Sequence, residues 1–374
     1  MQPLQSLLVV AIEQAVAAPL CTSRLAAAGA RVIKIEREEG DFARNYDTAA
    51  GGDSSYFTWL NQGKESACLN FKEEADASVL RNLLGKADVL VQNLSPGALA
   101  RAGFSTQALH QLNPSLVICN ISGYGAESNV AHRRGYDLLI QAESGLISVS
   151  GSPEGQGRIG VSVCDIGAGL TAYSGVLEAL FKRQVTGIGE EISISLFGVA
   201  ADWMAVPFIH AEYGEGAPEP VGLKHPSIAP YGAYDCADGK KTLLSIQNER
   251  EWQRLCNDAL HAPHMLEDSR FKSNNLRVEH VEALEQCINS ITLKLTSSVF
   301  QQRLEDAKIA YGAINNASDI KSHAAFREAT YHTVNNEPLQ MPAPPVQWTT
   351  PTDKPVAKNP ALGEHTESVK IEFG

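Results

Sequence analysis

The chain has 374 residues, 44% of them hydrophobic, and its 31 basic and 43 acidic side chains leave a net charge of −12. That length supports two or three units with sizeable cores, and the acidic balance argues against a non-specific nucleic-acid binder while leaving room for a local basic pocket. The seven cysteines are scattered, with no C-x-x-C pair or Cys/His cluster. Neither a metal site nor a redox pair is therefore expected, and buried thiols in a reducing cytosol are. No basic-then-apolar leader with a cleavage site opens the sequence, and no apolar run reaches the roughly 18 residues of a membrane span. The expectation is a cytoplasmic protein with no membrane or nucleic-acid partner.

In chain order, Leu7–Ile12 reads as a buried strand, Pro19–Ala28 as a small-residue helix with proline in its first turn, and Arg31–Ile35 as the next strand. Together they make a right-handed βαβ unit. It lacks G-x-G-x-x-G, so a nicotinamide or flavin fingerprint is absent. Arg37 and Arg44 come next, in a charged, glycine-containing loop. Such a loop is often only a solvated face, but an arginine fork there can grip phosphate oxygens and its plane can stack on a base. A strand over Ala67–Phe71, a helix over Glu74–Lys86, a strand over Asp88–Asn93, a helix start at Ser95-Pro96 and a strand over Leu116–Ser122 continue the alternation. Strands alternating with helices to about residue 200 predict a Rossmann-like, doubly wound α/β domain, in which ligands bind beyond the carboxyl ends of the strands.

Residues 161–196 hold the most informative stretch. Val161-Ser162-Val163-Cys164 has strand-type alternation, Asp165 comes after it, and Gly167-Ala168-Gly169 leads into a helix-period run from Leu170 to Phe181. Lys182 and Arg183 suit a helix C-terminus. Gly187 and Gly189 turn the chain into a second alternating run, Ile192–Leu196. Asp165 is thus expected where a strand gives way to a helix. There it either caps the helix or serves, held ionised by the helix N-terminus, as a covalent nucleophile. Beyond it, Gly214–Ala229 reads as a linker. Strands near Tyr234 and Leu243–Ile246, joined by an Asp238-Gly239 turn, a helix from Gln247–Trp252, further helices to about residue 308 and a strand over Ala310–Ile314 form a smaller α+β domain. Pro338–Pro355 is expected to be extended. The boundaries are then 1–213, a linker at 214–229, 230–325, and a return segment at 326–374.

Several motifs, in order, resemble the class III CoA-transferases, the CaiB/BaiF family. They are Asp165-Ile166-Gly167-Ala168-Gly169 with Thr186-Gly187-Ile188-Gly189; Lys34-Ile35-Glu36 with Gly40-Asp41 and Arg44; Asn93-Leu94-Ser95-Pro96-Gly97; Gly123-Tyr124-Gly125; Gly135-Tyr136-Asp137; and Pro360-Ala361-Leu362-Gly363-Glu364-His365. Leu94 replaces the usual aromatic residue, and Ala18 before Pro19 replaces the usual glycine. The resemblance implies that Asp165 is the nucleophile. It places Val16 and Ala17 against the pantetheine arm, Arg37, Asn93 and Arg101 on CoA, and Tyr124 on a loop over the acyl group. Gln14, Arg44, Arg134 and Tyr136 are candidates for reading the substrate. Coenzyme A then enters as acyl-CoA substrate and not as a resident cofactor, and the family's interlocked-ring homodimer is expected.

Tyr136 stands where the racemase branch of that fold has a histidine in Gly-His-Asp, which would titrate near neutral pH. His132, outside the triplet, reads as a surface histidine, and His365 as a packed one. The resemblance implies transfer of CoA from an acyl-CoA such as succinyl-CoA to a small carboxylic acid. Mesaconate, itaconate, citramalate or glutarate fit best, and the absence of a glycine run at Gln247-Asn248 makes oxalate less attractive. Intramolecular CoA migration or 2-epimerisation, and acyl-CoA binding without turnover, remain alternatives. The carboxylate is expected to be ionised at pH 7 without a partner base.

Overall fold

The computed structural model describes residues 2–349 and 357–374, so the end of the Pro338–Pro355 stretch lies outside the described residues. Two compact units share the chain. One comprises Met1–Ile147, Arg158–Phe208 and Arg327–Gly374, and the other Ser148–Gly157 and Ile209–Phe326.

In the first unit, β1 (Leu8–Ile12), β2 (Arg31–Glu36), β3 (Glu65–Cys68), β4 (Val89–Gln92), β5 (Val117–Ser122) and β8 (Glu191–Ser195) form a six-stranded sheet in the order β3-β2-β1-β4-β5-β8. Every pairing in it is parallel. The short strands β6 (Gly151–Ser152) and β7 (Gly155–Gln156) pair with each other in the second unit. Side chains of a strand alternate between faces, and here they divide one core into two layers. Val9 and Ala11 pack in a layer with α1 (Ala17–Ala27) and a long helix over Val163–Thr186, while Val10 and Ile12 pack in the other with Leu80, Leu83 and Leu84 of the helix Glu74–Lys86. Helices on both faces explain why β1 is apolar throughout: no face meets water.

Between these lie α2 (Ser55–Leu60), α3 (Glu74–Lys86), α4 (Ala98–Arg101), α5 (Thr106–Leu112), α6 (Asp137–Glu143) and α7 (Val163–Thr186). Close approach of α7 to α1 depends on Gly169, where a Cβ would sit 2.5 Å from the Ala17 carbonyl oxygen and 2.9 Å from Leu20 Cβ. On the other sheet face the C-terminal helix Thr366–Phe373 buries Val369 and Phe373. It is tied down by exchange of backbone and ring bonds between His365 and Ser66, by Thr366 to Cys68, and by ion pairs Arg31–Glu372 and Lys370–Asp76. His365 is thus a packed residue.

Two expected strands are corrected. The third lies at Glu65–Cys68 instead of Ala67–Phe71, because pairing with β2 runs from Ile33↔Glu65 to Glu36↔Cys68 and stops there. Val161–Cys164 is not a strand: Val163 bonds back to Val161, and α7 has begun by Val163.

The second unit, taken by itself, carries the antiparallel strands Tyr231–Asp235, Lys241–Ser245 and Ala310–Ala313, covered by helices between residues 249 and 306. Asp238-Gly239 makes the expected turn, with Gly239 at φ +74°. Arg277, buried, bonds both Glu249 oxygens and the Ala229 and Phe271 carbonyls, and lies 4.9 Å from the Trp252 ring centre. Among the described residues no helix is long and apolar enough to cross a membrane.

Candidate active site

The direction of strand addition reverses between β1 and β4, which are neighbours in the sheet. Open α/β sheets bind ligands outside the carboxyl ends of the strands at such a point. Here those ends are joined directly. The Asn93 amide accepts the Gln14 N–H at 3.0 Å and donates to the Gln14 carbonyl at 2.8 Å. Above them opens a cleft of about 770 Å³ whose wall includes Gln14, Arg37, Asn93, Arg134 and Tyr136, within the usual size of a ligand site. The structure therefore brings together five of the residues singled out in the sequence. Lys72, His132 and Arg133, not singled out as ligand contacts, also line it. The adjacent basic pair Arg133-Arg134 was visible in the sequence; Lys72 gains its place only because the chain emerges from β3 into the cleft. Lys72 and Arg134 make no ion pair among the described residues, whereas Arg133 pairs with Glu143.

Asp165 occupies the first turn of α7. The helix start is capped by another residue: Asp137 accepts the Cys164 N–H at 2.8 Å. Its second oxygen takes the Gln141 amide at 2.7 Å, and Gln141 in turn bonds Ile159 in both directions. With the cap supplied from 27 residues away, the Asp165 carboxylate is left without a hydrogen bond or ion pair among the described residues. Burial, then the negative charge of Asp137, push its pKa up to about 7. This corrects the expectation of a carboxylate fully ionised at neutral pH, since loss of water outweighs the helix N-terminus. Around it, the charges of Asp41 and Asp165 reach Tyr46, whose phenol is raised to about 12 by burial first and those charges next. Tyr46 stands edge-on to Tyr56 at 5.6 Å and remains a neutral donor. Ile166 packs against the apolar cluster of Val16, Leu20 and Leu60, which Tyr56 and Trp59 also border, and this ties the Asp165 turn to the start of α1.

Other anticipated residues stand elsewhere. Val16 and Ala17 are buried at the start of α1. Tyr124 is 8% exposed and packs in the core with Arg133 over its ring. Arg101 bonds the Pro96 carbonyl and is absent from the cleft wall. Arg44 is committed within the fold: it bonds both Glu36 oxygens at 2.7 and 2.9 Å, reaches the Pro360 carbonyl, and stacks 3.8 Å over Phe57.

A fully buried charge network lies beside the cleft, and only its Lys34 and Asp41 fall in a motif. Lys34 bonds Asp41 at 2.8 Å, Lys64 bonds Glu13 at 2.7 Å, and Glu13 accepts from Thr22. A lysine inside the apolar run of β2 was the available signal. Next to it, burial would raise Glu36, but Arg44, Lys34 and Ser66 outweigh that and hold its pKa at about 2. A carboxylate so depressed stabilises the fold fully above its ordinary pKa and loses that contribution as pH falls toward 2. Glu36→Gln is therefore expected to cost about 3 kcal/mol at pH 7 and less than half of that at pH 3. Urea unfolding at the two pH values measures the gap, and a deficit unchanged with pH would contradict it.

The family model described as CoA-transferase family III matches residues 4–366. The chain belongs to CoA-transferase family III. This family III enzyme is 30% identical over 377 residues to an acetyl-CoA:oxalate CoA-transferase of Acetobacter aceti, covering 99% of this chain and 96% of that one. It is also 30% identical over 391 residues to a succinate–glutarate CoA-transferase of Agrobacterium fabrum, with 99% and 96% covered. A solved CaiB/BaiF family protein from Brucella suis superposes with a TM-score of 0.87 at 28% identity, covering all of both chains. The parallel sheet and its flanking helices are accordingly those of CaiB/BaiF structures.

Proposed function

We propose that this family III enzyme moves CoA from an acyl-CoA, succinyl-CoA or one like it, to a small dicarboxylic acid through covalent intermediates on Asp165. The observation that carries the reading is a carboxylate without a partner, its pKa raised by burial, on a helix start capped by Asp137, the chain neighbour of Tyr136 in the cleft wall. In the first step Asp165 attacks the thioester carbonyl, the C–S bond breaks, and an aspartyl anhydride and CoA thiolate form. The thiolate attacks the aspartyl carbonyl, releasing the donor acid and leaving an aspartyl-CoA thioester. The acceptor carboxylate attacks that carbonyl and expels the thiolate, which then takes the acceptor acyl group and frees Asp165. Each activated carboxyl is exchanged for another, so no ATP is consumed.

Lys72 and Arg37 are suited to the phosphates and adenine of CoA. Gln14 and Tyr136 share the cleft wall with those cations and are our candidates to line the pantetheine arm. Tyr46, whose phenol is reached by the charge of Asp165, is our candidate to donate to the acyl or acceptor oxygen. Arg44 stays with Glu36, which leaves Arg134 as the candidate for a second substrate carboxylate. The relatives named for oxalate and glutarate support a dicarboxylic acceptor. We also propose a cytoplasmic homodimer. Phe181 and Val185 near the end of α7 and Ile188 just past it, 72%, 80% and 60% exposed, support self-association.

Incubation with succinyl-CoA and a panel of oxalate, glutarate, mesaconate, itaconate and acetate, read by mass spectrometry of the CoA esters, tests the function. New dicarboxylyl-CoA esters are expected. Transfer to acetate alone would overturn the dicarboxylate class, and bound acyl-CoA with no new ester would overturn transfer.

A further inference from the structure

The turn between β1 and α1 holds a residue in a conformation its side chain disfavours. Ala15 has φ +65°, in the left-handed region where a Cβ crowds the following carbonyl. Such strain persists only where the surroundings over-determine it. Here the determinants are explicit. On one side Asn93 bonds both the N–H and the carbonyl of Gln14. On the other, Asp41 Oδ1 accepts the Ala15 N–H at 3.1 Å and the Ala43 N–H at 2.9 Å, while Asp41 Oδ2 is held by Lys34 at 2.8 Å. Asp41 and Lys34 are buried, and Glu13 and Lys64 complete the network behind them. Val16, next in the chain after the strained residue, belongs with Leu20 and Leu60 to the apolar cluster against which Ile166, the neighbour of Asp165, packs.

We propose that Asn93 and Asp41 are positioning residues of the transfer reaction: together they clamp the strained Gln14–Val16 turn, and through Val16 and Ile166 they fix the Asp165 carboxylate. This rests on Asp165 being the nucleophile. It gives Asn93 a role different from a CoA contact, because both ends of its amide are already engaged by Gln14. It also accounts for a buried lysine in β2, whose charge holds the Asp41 carboxylate that grips Ala15. A displacement of an ångström at a reacting group costs on the order of 100-fold in rate, so a turn joined to the start of α7 through that cluster need move little to matter.

The test uses Ala15→Gly, since glycine enters the left-handed region at no steric cost. Asn93→Ala and Asp41→Asn are made in the wild-type and the Ala15→Gly backgrounds, and each kcat and KM is compared with its own parent. Asn93→Ala is expected to lower kcat about 30-fold in the wild-type background and at most about 3-fold with Ala15→Gly, with little change in KM for acyl-CoA. Asp41→Asn, which keeps an acceptor for the Ala15 N–H but loses the charge pairing, is expected to show the same rescue from a smaller loss, and serves if Asn93→Ala does not fold. An equal loss in both backgrounds, or a loss confined to KM, would overturn the clamp and return Asn93 to a contact with CoA. Crystal structures of Asn93→Ala with and without Ala15→Gly read the turn without activity. Residue 15 should leave the left-handed region only where it is alanine, and a turn that keeps its place with alanine would overturn the proposal even if the parent protein transferred no CoA. Absence of transfer by the parent defeats the functional reading separately.

Discussion

Asp165→Asn is expected to slow CoA transfer by on the order of 10⁴-fold or more while making the folded protein more stable above neutral pH. The first effect comes from removing a nucleophile for which no neighbouring group substitutes, a loss that runs to 10⁴–10⁶-fold where measured in other enzymes. Asp165→Ala alongside guards against slow regeneration of aspartate from the asparagine. The second effect comes from the raised pKa. A carboxyl that holds its proton up to about pH 7 when folded, and only to about pH 4 when unfolded, costs nothing below pH 4. Its penalty grows as the pH rises and is complete above 7. Three units would correspond to about 4 kcal/mol, and because the carboxylate retains some contact with solvent about 2 kcal/mol is the better expectation. Asparagine, nearly the same shape and uncharged, escapes the penalty. Chemical denaturation at pH 5 and pH 8 should show the variant's advantage mainly at pH 8. A variant no more stable than wild type at pH 8 would mean that the carboxylate carries no desolvation strain.

The pH dependence of turnover should show the same group from the other side. kcat/KM is expected to rise through an inflection near pH 7, falling about tenfold for each unit below it and about 100-fold by pH 5. Asp137→Asn should move the inflection to lower pH. It removes the negative charge that adds to the effect of burial, yet leaves an oxygen to accept the Cys164 N–H and so preserves the helix start. A rate profile flat from pH 5.5 to 8, or an inflection unmoved in Asp137→Asn, would show that Asp165 is ionised throughout and that something else limits the reaction.

The alternation of strands and helices was legible because it is local. A strand buried on both faces, a small-residue helix and a basic helix end each leave their mark within a dozen residues, as at Leu8–Ile12, Ala17–Ala27 and Glu74–Lys86. The run Val161–Cys164 misled because short apolar alternation is ambiguous, and because the side chain that starts α7 comes from Asp137, outside any local window. The motif singled out Asp165, but the rise in its pKa was not readable, since burial is a property of the folded chain. Arg44 and Asn93 show the same limit in reverse. Both looked available for ligand as written, and both are taken, one by Glu36 and the other by Gln14. Lys34 was visible as an anomaly in β2, yet its partners Glu13 and Asp41 meet it only after the βαβ unit has closed.

The docking of the last helix onto the edge of the sheet sets a timetable for the protein's synthesis. Cys68 and the Thr366 that bonds it are 298 residues apart. At ribosomal speeds of 5–20 residues per second, the nascent β3 waits roughly 15 to 60 seconds for its cover. Throughout that interval an outermost strand with unpaired backbone groups stands open to neighbouring chains. Production in cells is therefore most vulnerable while that strand is uncovered, and a bulky fusion placed after Phe373 would prolong the risk.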